Sequence, residues 1–175
     1  MIMEITSRMK TILLAITLCL ALPLAARANL LENGDFSRGK AGWRATNFPH
    51  RVERNRFVAE IPVKCGKFAA VLLRNVELKR GTNYRLSFTV ECENKGIFTV
   101  VYQQATAPYT PRGLRTGWKL EAGVHKRSVD FVAEPRDGEH TRLTFNFSRL
   151  PGRAILSEVR LEAADAESAV DGLYG

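Results

Sequence analysis

Residues Asn83 to Cys92, NYRLSFTVEC, alternate without a break: Tyr84, Leu86, Phe88, Val90 and Cys92 fall on one side, and Arg85, Ser87, Thr89 and Glu91 on the other. A repeat of two belongs to a β-strand, whose successive side chains point to opposite faces. One apolar face opposite a polar one predicts a strand buried on one side only. The same period returns upstream at Phe57, Ala59, Ile61 and Val63, and downstream at Phe98, Val100 and Tyr102, and at Val129, Phe131 and Ala133. It returns again at Leu143, Phe145 and Phe147, and at Ile155, Ser157, Val159 and Leu161. Between these runs stand turn-forming clusters, RGTN at 80–83, NKG at 94–96, PRDG at 135–138 and PG at 151–152. No segment carries an amphipathic helical repeat. Short strands joined by tight turns predict an all-β fold, an antiparallel β-sandwich with jelly-roll topology. One stretch, ATAPYTPRGLRTGW from Ala105 to Trp118, is rich in Pro, Gly and Thr and reads as a long loop carrying Tyr109 and Trp118.

The start of the 175-residue chain reads as an export signal over residues 1–28. Arg8 and Lys10 precede an apolar run from Thr11 to Leu24, and Ala26-Arg27-Ala28 supplies small residues for cleavage before Asn29. The run is short for a membrane span, and Leu18 before Cys19 does not suit a lipoprotein signal. These features predict a secreted or periplasmic protein without a membrane anchor after cleavage. A single domain is expected over residues 29–163, followed by a small, acidic, flexible tail over residues 164–175. Removing Arg8, Lys10, Arg27 and Glu4 from 26 basic and 18 acidic residues leaves 23 and 17, a charge of +6 that permits an acidic partner without requiring one. Cys65 and Cys92 remain in a compartment where thiols oxidise; they form a disulfide or stay as two buried thiols.

Catalytic chemistry finds little support. His50, His125 and His140 have no metal-ligand spacing, and no HExxH, GxSxG or phosphate-loop motif is present. Glu91 and Glu93 lie two apart on a strand, the spacing of a possible carboxylate pair, but TVECENKG reads as a solvated outer-face pair beside a turn. The net charge suits a nucleic acid, yet no recognition motif accompanies it and export argues against that partner.

Four motifs in order carry a resemblance: NLLENGDFSRGKAGW at 29–43, VELKRGTNYRLSFTVE at 76–91, QQATAPYTPRGL at 103–114 and TRLTFNFSRLPGRAILSEVRLE at 141–162. Together they make the chain resemble the carbohydrate-binding modules of the family 4 and 9 type, galactose-binding-like jelly rolls attached to secreted glycanases. The resemblance implies a non-catalytic domain that binds a polysaccharide chain in a concave groove. Any link with glycosyl hydrolase activity would then come from the enzymes these modules accompany. It carries ligand contacts onto Arg74, Thr99, Tyr109, Arg142 and Asn146, with Tyr109 as the stacking aromatic. Parity adds Gln103, which shares a face with Thr99 and Val101, and it groups Arg142, Thr144, Asn146 and Ser148.

Departures from the pattern carry information too. The aromatic expected after the first tryptophan falls at Thr46, with Phe48 as a substitute; Trp43 itself reads as structural, and Trp118 as a rim or core residue. Arg74 and Arg142 stand where the family often has amides. Arginine forks bind carboxylates in pairs of hydrogen bonds, so the ligand is expected to be either a β-glucan or an acidic glycan such as a uronate polymer. The resemblance also implies a structural calcium ion, for which Glu32, Asp35 and Glu158 are the remaining carboxylates, Ser37 and Ser157 having replaced others. No cofactor is required for binding. A competing reading is a structural or adhesive envelope sandwich without a sugar groove, presenting a basic edge at Arg51, Arg54 and Arg56.

Overall fold

The structure, a computed structural model, describes residues 28–164. The expected leader and tail lie outside these residues, save Ala28 and Ala164 at the boundaries. The ten strands are β1 (Trp43–Ala45), β2 (His50–Glu53), β3 (Arg56–Ile61), β4 (Val71–Asn75), β5 (Asn83–Cys92), β6 (Gly96–Gln104), β7 (Pro111–Leu120), β8 (Gly123–Val132), β9 (Thr141–Arg149) and β10 (Gly152–Ala163). They form two five-stranded sheets, ordered β1-β4-β9-β6-β7 and β2-β3-β10-β5-β8, with every pairing antiparallel. The chain crosses between sheets after β1, β3, β4, β5, β7, β8 and β9, as a jelly roll requires. Among the described residues there is no helix, and none is therefore long and apolar enough to cross a membrane.

The core is the meeting of the two alternating faces. Phe88 of β5 reaches across to Phe98, Trp118 and Phe145 of the first sheet at ring separations of 5.5, 5.5 and 5.9 Å, and Phe57 of β3 meets Phe147 at 6.0 Å. Such tilted and edge-on contacts are the favoured ones between quadrupolar rings. Cys92 lies in this core and Cys65 beside it, both as free thiols, so the disulfide alternative is set aside. Burial pushes the Cys92 thiol up, and its S–H donates to the Glu121 carbonyl at 3.1 Å.

Three elements depart from the sequence reading. Pro111–Leu120 is not loop but strand, paired with β6 from Gly96↔Leu120 to Tyr102↔Leu114, so the true loop shrinks to residues 105–110. Proline is tolerated at the first residue of an edge strand, and a side chain on Gly113 (φ 102°) would run into the Val132 carbonyl. The third strand stops at Ile61, leaving Val63 89% exposed. In β10 a bulge falls between Ser157 and Arg160, where three steps along this strand match two along β5. Ala154 and Leu156 therefore face the core before the bulge, and Val159 and Leu161 after it; Ser157 does not.

Asn29–Trp43 wraps over one side of this sandwich. Asn29 donates to the Val159 carbonyl and accepts from the Leu31 and Leu161 amides. Asn33, at φ 58°, donates to Gly39 and Ala41 carbonyls and accepts from the Arg38 amide, while its own carbonyl takes the Trp43 indole N–H at 2.9 Å. Trp43 is structural, 4% exposed. Asn33→Ala removes three hydrogen bonds and puts a Cβ-only residue at positive φ, so it lowers unfolding stability by about 2–4 kcal/mol. Urea denaturation checks this; a loss below about 0.5 kcal/mol, the range of a neutral surface change, contradicts it.

Candidate functional site

Because Leu143, Phe145 and Phe147 fill the core, the intervening residues of β9 project from the outer face of the first sheet. Strand register then lays its neighbours beside it. One row across the sheet reads Arg44, Leu73, Thr144, Val101 and Arg115, each directly opposite the next. A second holds Asn75, Arg142 and Gln103, and a third Val71, Asn146, Thr99 and Gly117. Five strands spaced about 4.8 Å apart make the first row about 19 Å long.

Loops stand at both ends of β9. Loop 105–110 places Tyr109 at φ 57°, half-exposed, with its ring centroid 4.8 Å from the Arg142 guanidinium carbon. A bulky residue held in the left-handed region persists only where its surroundings fix it, and such positions cluster at ligand sites. At the other end the Lys67 carbonyl accepts the Asn146 amide at 3.1 Å, and adjacent Phe68 is 68% exposed. Two exposed rings thus flank a floor of hydroxyl, amide, aliphatic and guanidinium groups.

Polar atoms on that floor are incompletely satisfied. Thr144 is 7% exposed and its hydroxyl has no hydrogen-bond partner; the Arg142 Nε is likewise buried and unpartnered. A buried polar atom without a partner costs about 1–3 kcal/mol, which a ligand hydroxyl could recover. Burial pulls the Arg142 pKa below the usual arginine value, and the charge of Arg44 acts the same way, with Tyr109 opposing both. Asn146 spends its oxygen on the Ser148 amide and one N–H on Lys67, keeping a second N–H free.

Of the residues the sequence nominated, the structure brings Thr99, Gln103, Tyr109, Arg142 and Asn146 to this face. It does not bring Arg74. That residue pairs with core residues Trp43 and Leu143, so it lies on the inward side of β4, where a methyl on Gly42 would overlap its guanidinium. Phe48 cannot serve as a stacking platform, being 8% exposed and packed on His50 and Phe57; Thr46 instead pins the sheet edge through Ala69 and Val71. Trp118 rests edge-on against Phe88 as a rim residue. Arg44, Leu73, Arg115 and Phe68 were missed, though Arg44 was recoverable as the neighbour of an inward tryptophan.

The three carboxylates considered for calcium do not fit that ion. Asp35 accepts from the Ser37 amide and hydroxyl, which hold its pKa down; Glu32 lies 3.5 Å from Arg38; Glu158 accepts from the Thr89 hydroxyl. Among the described residues no three His, Cys, Asp or Glu side chains gather as a metal site. Asp35 and Glu158 instead line a depression of about 780 Å³ on the second sheet, with Asn29, Ser87 and Arg127. It is lined by no exposed aromatic ring, and its Asn29, Asp35 and Glu158 side chains are already bonded within the protein, so although its Arg127 Nε is buried without a partner it suits a sugar ring less well than the outer face of the first sheet.

No family model and no curated protein matches the chain. Solved structures do. The second N-terminal cellulose-binding domain of Cellulomonas fimi β-1,4-glucanase C superposes with a TM-score of 0.67 at 20% identity, covering 82% of this chain and 99% of that one. A CBM4 structure gives 0.63 at 20% identity, covering 74% and 99%, and TmCBM61 in complex with β-1,4-galactotriose gives 0.52 at 14%, covering 78% and 99%. At these identities the likeness establishes the fold alone, an antiparallel jelly-roll sandwich that this chain shares with those modules.

Proposed function

We propose that this chain is an exported, non-catalytic carbohydrate-binding module that holds one polysaccharide chain along the outer face of its first sheet. The observation that carries the reading is the exposed Tyr109 ring standing over a floor whose buried Thr144 hydroxyl lacks a partner. Sugars present apolar C–H faces that stack on rings and hydroxyl edges that need amides, hydroxyls and guanidinium groups; this face supplies both. The structural neighbours, a cellulose-binding domain and a module solved with galactotriose among them, support the same class of ligand. Thr99, Gln103, Arg142 and Asn146 make the polar contacts in this reading, and the leader delivers the domain to a secreted or periplasmic location.

Two rival readings have less behind them. Catalysis by Glu91 and Glu93 would need a substrate on the second sheet, where Glu91 lies 3.8 Å from Arg56 and Glu93 accepts the Arg153 amide. An adhesive surface at the Arg51–Arg56 edge is blunted by ion pairs of Arg51 with Glu53 and Glu60.

The test is retention in gels containing different polysaccharides. Wild type is retarded by at least one polymer, and Tyr109→Ala weakens that binding by about 2 kcal/mol, roughly thirtyfold, whereas Tyr109→Phe keeps most of it. Retardation by none, or equal retardation of the alanine variant, removes the proposal.

A further inference from the structure

The five strands of the first sheet contain seven Arg and Lys residues and no Asp or Glu, whereas those of the second sheet contain six acidic residues. That contrast extends to pairing. Of the seven basic residues on the second sheet's strands, Arg51, Arg56, Arg85 and Arg160 each have a carboxylate within 4 Å, and Lys126, Arg127 and Arg153 have none among the described residues. On the outer face of the first sheet Arg44, Arg115 and Arg142 have no carboxylate partner among the described residues. Arg44 and Arg115 close the two ends of a single row, about 19 Å apart by strand spacing, with Leu73, Thr144 and Val101 between them. Arg142, in the adjacent row, has a buried guanidinium nitrogen with no acceptor.

We infer that this face is built for an anionic polysaccharide, whose charged groups pair with Arg44, Arg115 and Arg142 while its rings lie over the Leu73–Thr144–Val101 floor. The inference rests on the binding face proposed above and specifies its ligand class. A neutral chain would leave three guanidinium groups of one surface without an anionic partner and an arginine Nε unsatisfied beneath it. An anionic one removes both costs, because a carboxylate or sulfate accepts bidentate hydrogen bonds from a guanidinium fork. The aliphatic floor and the flanking Tyr109 and Phe68 rings select against a flexible chain of charge alone, since they reward a ligand with apolar ring faces.

The experiment measures binding of the full chain to polygalacturonate, a sulfated galactan, a neutral β-glucan and single-stranded DNA, at low and high salt. Polygalacturonate or the sulfated galactan is expected to bind at least tenfold more tightly than the neutral glucan, and to weaken as salt rises. Which of the two binds better assigns the anion. An Arg44→Gln, Arg115→Gln variant, altered only at exposed positions, loses about tenfold toward the anionic polymer and little toward the neutral one. An Arg54→Gln, Lys126→Gln variant, which removes the same charge from the second sheet's side, leaves binding unchanged. Equal losses in both variants would reduce the effect to net charge, and tighter binding of DNA than of either polysaccharide would overturn the inference. Salt-independent binding of the neutral glucan alone overturns it too while sparing the polysaccharide reading; failure to bind any polysaccharide removes both.

Discussion

Glu139→Ala lowers unfolding free energy by about 3–5 kcal/mol, the cost of stranding a buried charge. Its carboxylate takes two hydrogen bonds from Arg112, both at 2.6 Å, with the two side chains only 11% and 8% exposed. A third comes from the Arg136 amide at 3.2 Å, so the pair clamps the start of β7 to the turn before β9. Arg112's hydrogen bonds hold the Glu139 carboxyl at about 2, below its ordinary 4.5. The folded pKa is depressed, so the pair's contribution is complete above about 4.5 and is lost as pH falls toward 2. Wild type therefore loses stability through that window, and the alanine variant loses less there because it has nothing left to titrate. Replacing both partners by methionine restores much of the stability, since no charge is then stranded. Urea denaturation at pH 3 and pH 7 checks all three expectations; an alanine variant within 0.5 kcal/mol of wild type at pH 7 contradicts the clamp.

What the sequence revealed follows from how cleanly each strand alternates. β5, β6 and β9 each pair an apolar face with a polar one, and which of their residues face the core came directly from that pattern. β4 reads Val71-Leu72-Leu73-Arg74-Asn75, apolar on both faces at its start, so nothing in it tells which way Arg74 points. Only the pairing with Trp43 and Leu143 decides, and it sends the guanidinium inward. β7 was hidden for a different reason. Gly113, Gly117 and Pro111 carry turn chemistry, but an edge strand tolerates proline at its first residue and glycine where another backbone passes close. The bulge in β10 inverted a parity that looked secure, because one extra residue reverses every side chain after it.

The site divides along the same line. Residues that share a strand with a core triplet, such as Thr99, Gln103, Arg142 and Asn146, inherit a known face by alternation. Arg44 and Arg115 join them only through cross-strand register, a relation between segments far apart in the chain. Charge asymmetry between the sheets is equally invisible until the strand order is known, since acidic and basic strands interleave along the sequence. The net charge alone therefore understated how strongly one face is basic.

Phe145→Ala is expected to cost about 3–5 kcal/mol, the range for emptying a buried phenylalanine site. Phe145 has no exposed surface, and its ring lies 5.8 Å from Trp43, 5.9 Å from Phe88 and 6.4 Å from Phe98. It thus joins the amino-terminal wrap, the second sheet and β6 through one side chain. The void cannot close by collapse of one neighbour, because each of the three is held by a separate strand or loop. Phe145 also sits between Thr144 and Asn146, so the backbone that displays the binding floor is the backbone this ring anchors. Phe145→Leu fills most of the volume and costs less, and it should keep polysaccharide binding close to wild type. The alanine variant, measured where it is still folded, should bind more weakly although no contacting side chain has changed. Equal stability of the alanine variant and wild type in urea would show that the sheets are not held together at this point. Unchanged binding alongside lost stability would separate the floor's geometry from the core beneath it.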